Sequence, residues 1–272
     1  MTEPRLRISF IEFLNALPLG WGLLQGSLRG RHEVLLQTPA ECAESLRSGV
    51  VDVGLIPAVE YLRIPGLRVI PGLAIASRRE VRSVLFVSRV PLERVRRVAV
   101  DPNSRTSVAL LKILLWEFYG RDGIVFEPVR PAEALAAQEY EGLLVIGNPA
   151  LQLPLRQDLL VYDLAAEWYR FTGLPFVFAF WAVRPGLELG GSQAVFHESY
   201  REGAQSIPLI AEWYAGRLPL TSREIRRYLT HNLSYELDDA AQAGLQEFYR
   251  LVAAWKLVEA VRSPDFIRTV SS

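Results

Sequence analysis

Four consecutive polar residues, Ser104-Arg105-Thr106-Ser107, stand where a short strand runs into a long apolar helix, and their chemistry is that of anion capture. Val98-Ala99-Val100 reads as the strand and Asp101 to Ser104 as the loop. The helix begins near Arg105, with Ser104 or Asn103 as its cap, and ends with Gly120 at the C′ position. Its body runs through Leu115-Trp116-Glu117-Phe118-Tyr119 and carries few charges, Lys112 and Glu117, so it is buried on most sides. The first turn therefore offers backbone N–H groups, hydroxyls and a cation at one point, a combination that suits a carboxylate or a phosphate. Three further polar residues stand at comparable tips. Asn15 falls in a strand-to-helix connection, Ser83 interrupts an apolar strand, and Asn148 follows Gly147 at the end of another strand. None of these tips holds His, Cys or Lys, so the chemistry on offer is positioning and hydrogen bonding. The plainer alternatives are a helix cap for Asn15, a backbone hydrogen bond for Ser83 and an ordinary capped helix at 104–107.

The chain around these residues has 272 positions, half of them hydrophobic, with 30 Lys and Arg against 30 Asp and Glu. That length supports one large domain or two of average size. The balanced charge gives no overall pull toward nucleic acid or a membrane surface. Cys42 is the single cysteine, which excludes an intrachain disulfide and suits a reducing compartment. His32, His197 and His231 are far apart and lack metal-ligand spacing; they read as incidental surface or capping residues. The N-terminal residues lack the apolar run of a signal peptide, and no stretch of about 18 uncharged apolar residues occurs. The expectation is a cytoplasmic protein that binds a small molecule and needs no metal or cofactor.

Taken in order, residues 5–10 alternate as a strand, and a helix through Trp21, Leu23 and Leu24 follows, with Pro18 in its first turn. A strand at Glu33–Gln37 leads to a helix from Pro39 to Ser48 closed by Gly49, with Thr38 and Glu41 at capping-box spacing. Residues 51–57 have almost no polar face, which predicts a central strand. Residues 58–62 read as a short helix, 67–76 as extended, and 82–88 as a strand. Strands at 95–100, 124–129 and 143–146, separated by the helix after Ser104 and by another at 131–138, predict a parallel sheet. A short helix at 163–169 precedes a strongly apolar strand at 174–183. After Arg184 the pattern is helical, roughly 192–205, 206–215, 222–230 and 238–258, with Thr221-Ser222-Arg223-Glu224 able to cap the third.

The expected fold is α/β, of the periplasmic-binding-protein type II kind, with two α/β domains joined by two crossing strands. The first domain comprises residues 1–88 and 182–272 with the C-terminal helices; the inserted one is 89–181. A ligand cleft between them collects the tips near Asn15, Ser83, Ser104–Ser107 and Asn148.

Several segments resemble the chorismate dehydratases of the futalosine route to menaquinone. They are Phe13-Leu14-Asn15-Ala16-Leu17-Pro18, Asp52-Val53-Gly54-Leu55-Ile56-Pro57-Ala58-Val59-Glu60-Tyr61 and Val81-Arg82-Ser83-Val84-Leu85-Phe86-Val87-Ser88. Ser104-Arg105-Thr106-Ser107-Val108-Ala109-Leu110-Leu111, Glu167-Trp168 with Thr172 to Ala179, and Gly244-Leu245 with Phe248-Tyr249-Arg250 continue the series. The family's usual Tyr-Leu-Asn is Phe-Leu-Asn here, and its frequent Ile-Gly-Asp is Ile146-Gly147-Asn148, which leaves the role of position 148 open. The N-terminal pattern of the sister enzymes that cleave cyclic dehypoxanthinyl futalosine is not seen in 13–18.

The resemblance implies dehydration of chorismate to 3-[(1-carboxyvinyl)oxy]benzoate, with Asn15 and Ser83 at the family's important asparagine and serine. Ser104, Arg105, Thr106 and Ser107 would then hold one substrate carboxylate, with Asn148 as a further candidate contact. For the base, the family points to the substrate's own enolpyruvyl carboxylate; Glu60 is the nearest protein alternative, with a structural role on its helix as the competing reading. The rival function on this fold is a non-catalytic small-carboxylate binding protein, and a regulator's effector domain is a second rival. A receptor of the first kind usually carries a leader or lipid anchor, and a regulator needs a DNA-reading helix pair ahead of the first strand.

Overall fold

A computed structural model describes residues 5–130, 133–134, 139–154 and 158–268. Eleven strands in those residues form two mixed sheets. The strands are β1 (Arg7–Ile11), β2 (Glu33–Gln37), β3 (Val53–Pro57), β4 (Arg68–Ser77), β5 (Val84–Ser88), β6 (Arg97–Val100), β7 (Val125–Pro128), β8 (Gly142–Ile146), β9 (Leu160–Asp163), β10 (Phe176–Val183) and β11 (Ser234–Leu237). The first sheet has the order β11-β4-β10-β3-β1-β2, the second β7-β6-β8-β5-β9.

The apolar runs go where their composition sends them. Every residue of β3 and of β10 is buried, and each strand has a neighbour on both edges. β10 returns from the far side of the second sheet to lie antiparallel between β3 and β4. In the second sheet β6 pairs parallel with β7 and β8, as the alternation of strands and helices predicts. β5, placed by sequence with the first unit, hydrogen-bonds instead with β8 and β9, antiparallel to both. The chain therefore passes between the sheets at 78–83 and 164–175, and the apolar strands flank the crossings rather than form them.

Ten helices are described: α1 (Leu17–Leu24), α2 (Pro39–Arg47), α3 (Glu60–Arg63), α4 (Thr106–Ile113), α5 (Asn148–Leu151), α6 (Leu164–Thr172), α7 (Ala194–Gln205), α8 (Ile207–Ala215), α9 (Ser222–Arg227) and α10 (Asp239–Ala254). The helix expected over 131–138 lies largely outside the described residues. Capping boxes form at Thr38 with Glu41 and at Thr221 with Glu224, each side chain satisfying the other's backbone N–H. α4 departs from expectation at its cap and in its second half, and keeps the expected Gly120 at C′. Arg105 is its N-cap, no side chain caps it, and after Ile113 the chain continues as a π-helical turn to Phe118 before Gly120 takes a positive φ. The strands β9 and β11 were not expected: both are four residues long and sit at sheet edges, too short for a periodicity to register.

Two arrangements set the positions of the tips. α1 packs against α7 through Ser199, which donates to the Leu19 carbonyl at 2.9 Å, and through Gly203, where a Cβ would lie 2.0 Å from the Pro18 carbonyl oxygen. Any side chain there would push α1, and with it the turn carrying Asn15, away from the body. The second is Asp163, whose carboxylate accepts from the backbone N–H groups of Val81, Arg82, Ala165 and Ala166. It caps α6 and at the same time holds Arg82 at φ +61°, a backbone conformation costly for a side chain of this size. Ser83 follows directly.

Candidate active site

The N-terminus of α4 opens into a cavity between the two sheets. Its walls come from the turn after β1 (Ile11, Phe13, Asn15), from Pro57 and Ile75, from Val84, Ile146 and Gly147 of the second sheet, and from Phe178 and Ala179 of β10. Pro39, Ser104, Arg105, Thr106 and Ser107 complete it. Hydrophobic walls with a few convergent polar groups are the usual make-up of a small-molecule site.

Two side-chain oxygens in this cavity are buried and have no hydrogen-bond partner among the described residues: Asn15 Oδ1 and Ser104 Oγ. A buried polar atom left in this way costs about 1–3 kcal/mol, so a pair lining one cavity marks where a ligand is to be met. Thr106 Oγ1 already accepts from the Val59 N–H at 3.1 Å, and its own hydrogen remains to be donated. With no side-chain cap on α4, the N–H groups of its first turn face the same space. Arg105 is exposed and is the one ionisable residue among the described lining residues.

Asn15 and the four residues 104–107 are thus brought together. The side chains of Ser83 and Asn148 are not part of the lining; their neighbours Val84 and Gly147 are. Ser83 is fully buried, its backbone oxygen accepts from Gly147 N–H at 2.8 Å, and its hydroxyl oxygen accepts from the Tyr228 phenol at 2.7 Å. Because Tyr228 donates, the Ser83 hydrogen is free to point elsewhere. Tyr228 has no exposed surface, and burial pushes its phenol well above the ordinary tyrosine range, so it stays a donor. Sequence spacing could not single out Tyr228, which lies 145 residues from its partner. Asn148 Oδ1 accepts from the Leu14 N–H at 3.0 Å.

Glu60, the protein alternative for a base, points away from the cavity. Its carboxylate is gripped by Arg47 and Arg63, each at 2.8 Å, and its side chain is 4% exposed. It lines a separate recess with Glu44 and these two arginines, into which Arg105 also reaches. Cys42 is buried, and that burial pushes its thiol up to about 12, which removes it as a nucleophile. Among the described residues, no helix is long and apolar enough to cross a membrane.

The chain is similar to known proteins at two levels. Residues 6–254 match the model of a family described as menaquinone biosynthesis. A chorismate dehydratase of Thermus thermophilus is 33% identical, the match covering 87% of this chain and 91% of that protein. A chorismate dehydratase of Campylobacter jejuni is 26% identical over 91% of this chain and 97% of its own length. By structure, protein AF1704 of Archaeoglobus fulgidus superposes with a TM-score of 0.73 at 18% identity, covering 93% of this chain and 98% of that one. The periplasmic aliphatic sulphonate binding protein SsuA of Escherichia coli gives 0.66 at 17% identity over 98% of this chain and 95% of its own. These likenesses place the fold among the periplasmic-binding-protein folds.

Proposed function

The chain belongs to the menaquinone-biosynthesis family, and from that premise we propose that it dehydrates chorismate to 3-[(1-carboxyvinyl)oxy]benzoate on the futalosine route, acting as a carbon–oxygen lyase. The observation that carries this reading is the cavity at the start of α4, where two unpartnered buried oxygens and an uncapped helix end converge inside apolar walls.

Chorismate is a dicarboxylate one elimination away from an aromatic ring, so the driving force lies in the substrate. A proton leaves the ring carbon that bears the enolpyruvyl ether and its electron pair becomes a ring double bond. The adjacent C–O bond breaks, and the departing hydroxide takes up a proton to become water. The task left to the protein is to hold one geometry, which alone can remove on the order of 7–11 kcal/mol from a barrier. Ser104, Thr106, Ser107 and the α4 N–H groups receive one carboxylate, with Arg105 supplying the countercharge at the rim. Asn15 hydrogen-bonds to the hydroxyl that departs and to the charge that develops, and Ser83, whose hydroxyl lies behind the lining, joins it only when the wall at Val84 adjusts around the substrate. The proton goes to the substrate's own enolpyruvyl carboxylate, a choice supported by the lack of a carboxylate, His or Lys among the described lining residues.

We divide the chain at the two crossings, which assigns β5 to the inserted unit and all of β10 to the first, a shift of one strand from the sequence-based limits. We place the protein in the cytoplasm, where a single buried thiol is unremarkable.

Incubating the purified protein with chorismate and following the aromatic product tests the activity; binding without turnover would instead point to a carboxylate receptor. Asn15→Ala and Ser83→Ala test the assignment of chemistry, which is wrong if both variants turn over chorismate at near-normal rates. Thr106→Ala with Ser107→Ala tests the anion site, since unchanged affinity for the product would remove it.

A further inference from the structure

Asn148 does not face the cavity, yet it bonds to the residue next to Asn15. Its Oδ1 accepts from the Leu14 N–H at 3.0 Å, across 134 residues of sequence and from one sheet's side of the cavity to the other's. Beside it, Phe13 lies against Gly147 so closely that a Cβ there would be 2.8 Å from the ring, and Gly147 is held at φ +65°. Residues 13–14 are therefore seated on residues 147–148 by one hydrogen bond and one ring contact. A second bridge, Val59 N–H to Thr106 Oγ1 at 3.1 Å, joins the same two halves beside the start of α4. Asn15 comes directly after this seat, and its own Oδ1 has no partner among the described residues. The direction of its carboxamide is thus set by the backbone at Leu14.

We propose that Asn148 is a positioning residue for Asn15: by holding the Leu14 N–H across the cleft, it fixes where the Asn15 carboxamide meets the substrate, and it does so only when the two halves have closed. The inference rests on the assignment of Asn15 made above. It uses one acceptor oxygen of Asn148 and no donor, so a carboxylate at this position does the same work. Asp is therefore expected to replace Asn148 here, and an apolar residue is not.

The experiment is a double-mutant cycle with a conservative rescue, read by chorismate turnover and by hydrogen exchange at Leu14. Asn148→Ala is expected to lower kcat about tenfold, equivalent to about 1.4 kcal/mol, with little change in KM. Asn148→Asp is expected to restore kcat to within about twofold. In an Asn15→Ala background, Asn148→Ala is expected to add no further loss, because the group it positions is gone. Exchange at the Leu14 amide is expected to speed up in Asn148→Ala and not in Asn148→Asp. The proposal is overturned if Asn148→Asp is as slow as Asn148→Ala, or if the Asn148→Ala loss multiplies that of Asn15→Ala, which would mean direct contact with substrate. It is also overturned if Leu14 exchange is unchanged in Asn148→Ala. If wild-type protein does not turn over chorismate, the functional reading fails instead, and the exchange arm still decides whether Asn148 holds Leu14.

Discussion

Ser104→Ala separates the cost of a binding-ready site from its use. Ser104 is 5% exposed and its Oγ has no partner among the described residues, so the free protein carries a buried, unsatisfied hydroxyl. Alanine removes that one atom, keeps the Cβ and opens no sizeable hole. Relief of an unsatisfied buried group contributes about 1 kcal/mol, at the low end of the usual desolvation cost. For a chain of this size that corresponds to a rise in melting temperature of roughly 2–4 °C. The substrate side runs the other way. A hydroxyl donating to a carboxylate contributes about 1.5–3 kcal/mol, so affinity for the product should fall by roughly 10- to 150-fold. Thermal melts with and without 3-[(1-carboxyvinyl)oxy]benzoate read both effects, because the ligand-induced shift shrinks as affinity falls. A variant that melts lower than wild type and binds the product equally well would refute the reasoning: Ser104 would then be making a structural bond and meeting no ligand.

Tyr228→Phe removes the phenol that donates to Ser83 Oγ at 2.7 Å and leaves the ring in place. Steady-state kinetics should show a lower kcat with KM almost unchanged, and equal turnover would detach Ser83 from the chemistry. The described lining residues contribute no group that titrates near neutrality, so kcat should be flat between about pH 6 and 9; a bell-shaped profile with an inflection near 7 would reveal a protein acid or base. Burial works against the charge on Asp52, but hydrogen bonds from the Arg7 side chain and backbone and from Arg184 outweigh it and hold the carboxyl below its ordinary value of 3.8. Stability from this group is complete above that value and is lost as pH falls through the lower, folded one. Acid titration of unfolding in Asp52→Asn should therefore show a shallower loss below about pH 4 than in wild type, and an identical acid limb would dismiss the bridge.

Long elements and their caps are readable in this chain, and contacts between distant residues are not. The capping box at Thr38 and Glu41, the central placement of 53–57 and the continuous burial of 176–183 follow from local residue types, and the structure has them. The pattern at 176–183 says that both faces are covered; it says nothing of strand direction, and β10 is antiparallel to both neighbours. Ser104 looks like a cap by type, but the cap position falls one residue later, on Arg105, and the helix starts at Thr106, which leaves the Ser104 hydroxyl without a bond among the described residues. Asn15 and 104–107 share a cavity because each sits at the end of a strand facing the same gap, a rule that sequence can use. The partners of Ser83 and Asn148, namely Tyr228 and Leu14, lie more than a hundred residues away and leave no periodic trace.

The order in which this protein leaves the ribosome is written into the position of β10. The second sheet is one unbroken stretch, from Val84 to Asp163, and can be complete once that stretch has emerged. The first sheet cannot: β3 and β4 wait with open edges until Phe176–Val183 arrives to fill the space between them, and β11 comes later still. The unit made second is then the unit that folds first, and the earlier strands depend on it to keep their apolar edges from pairing elsewhere. Stalled chains with about the first 170 residues outside the ribosome should show a protease-resistant core that begins after residue 80 and excludes the N-terminal strands.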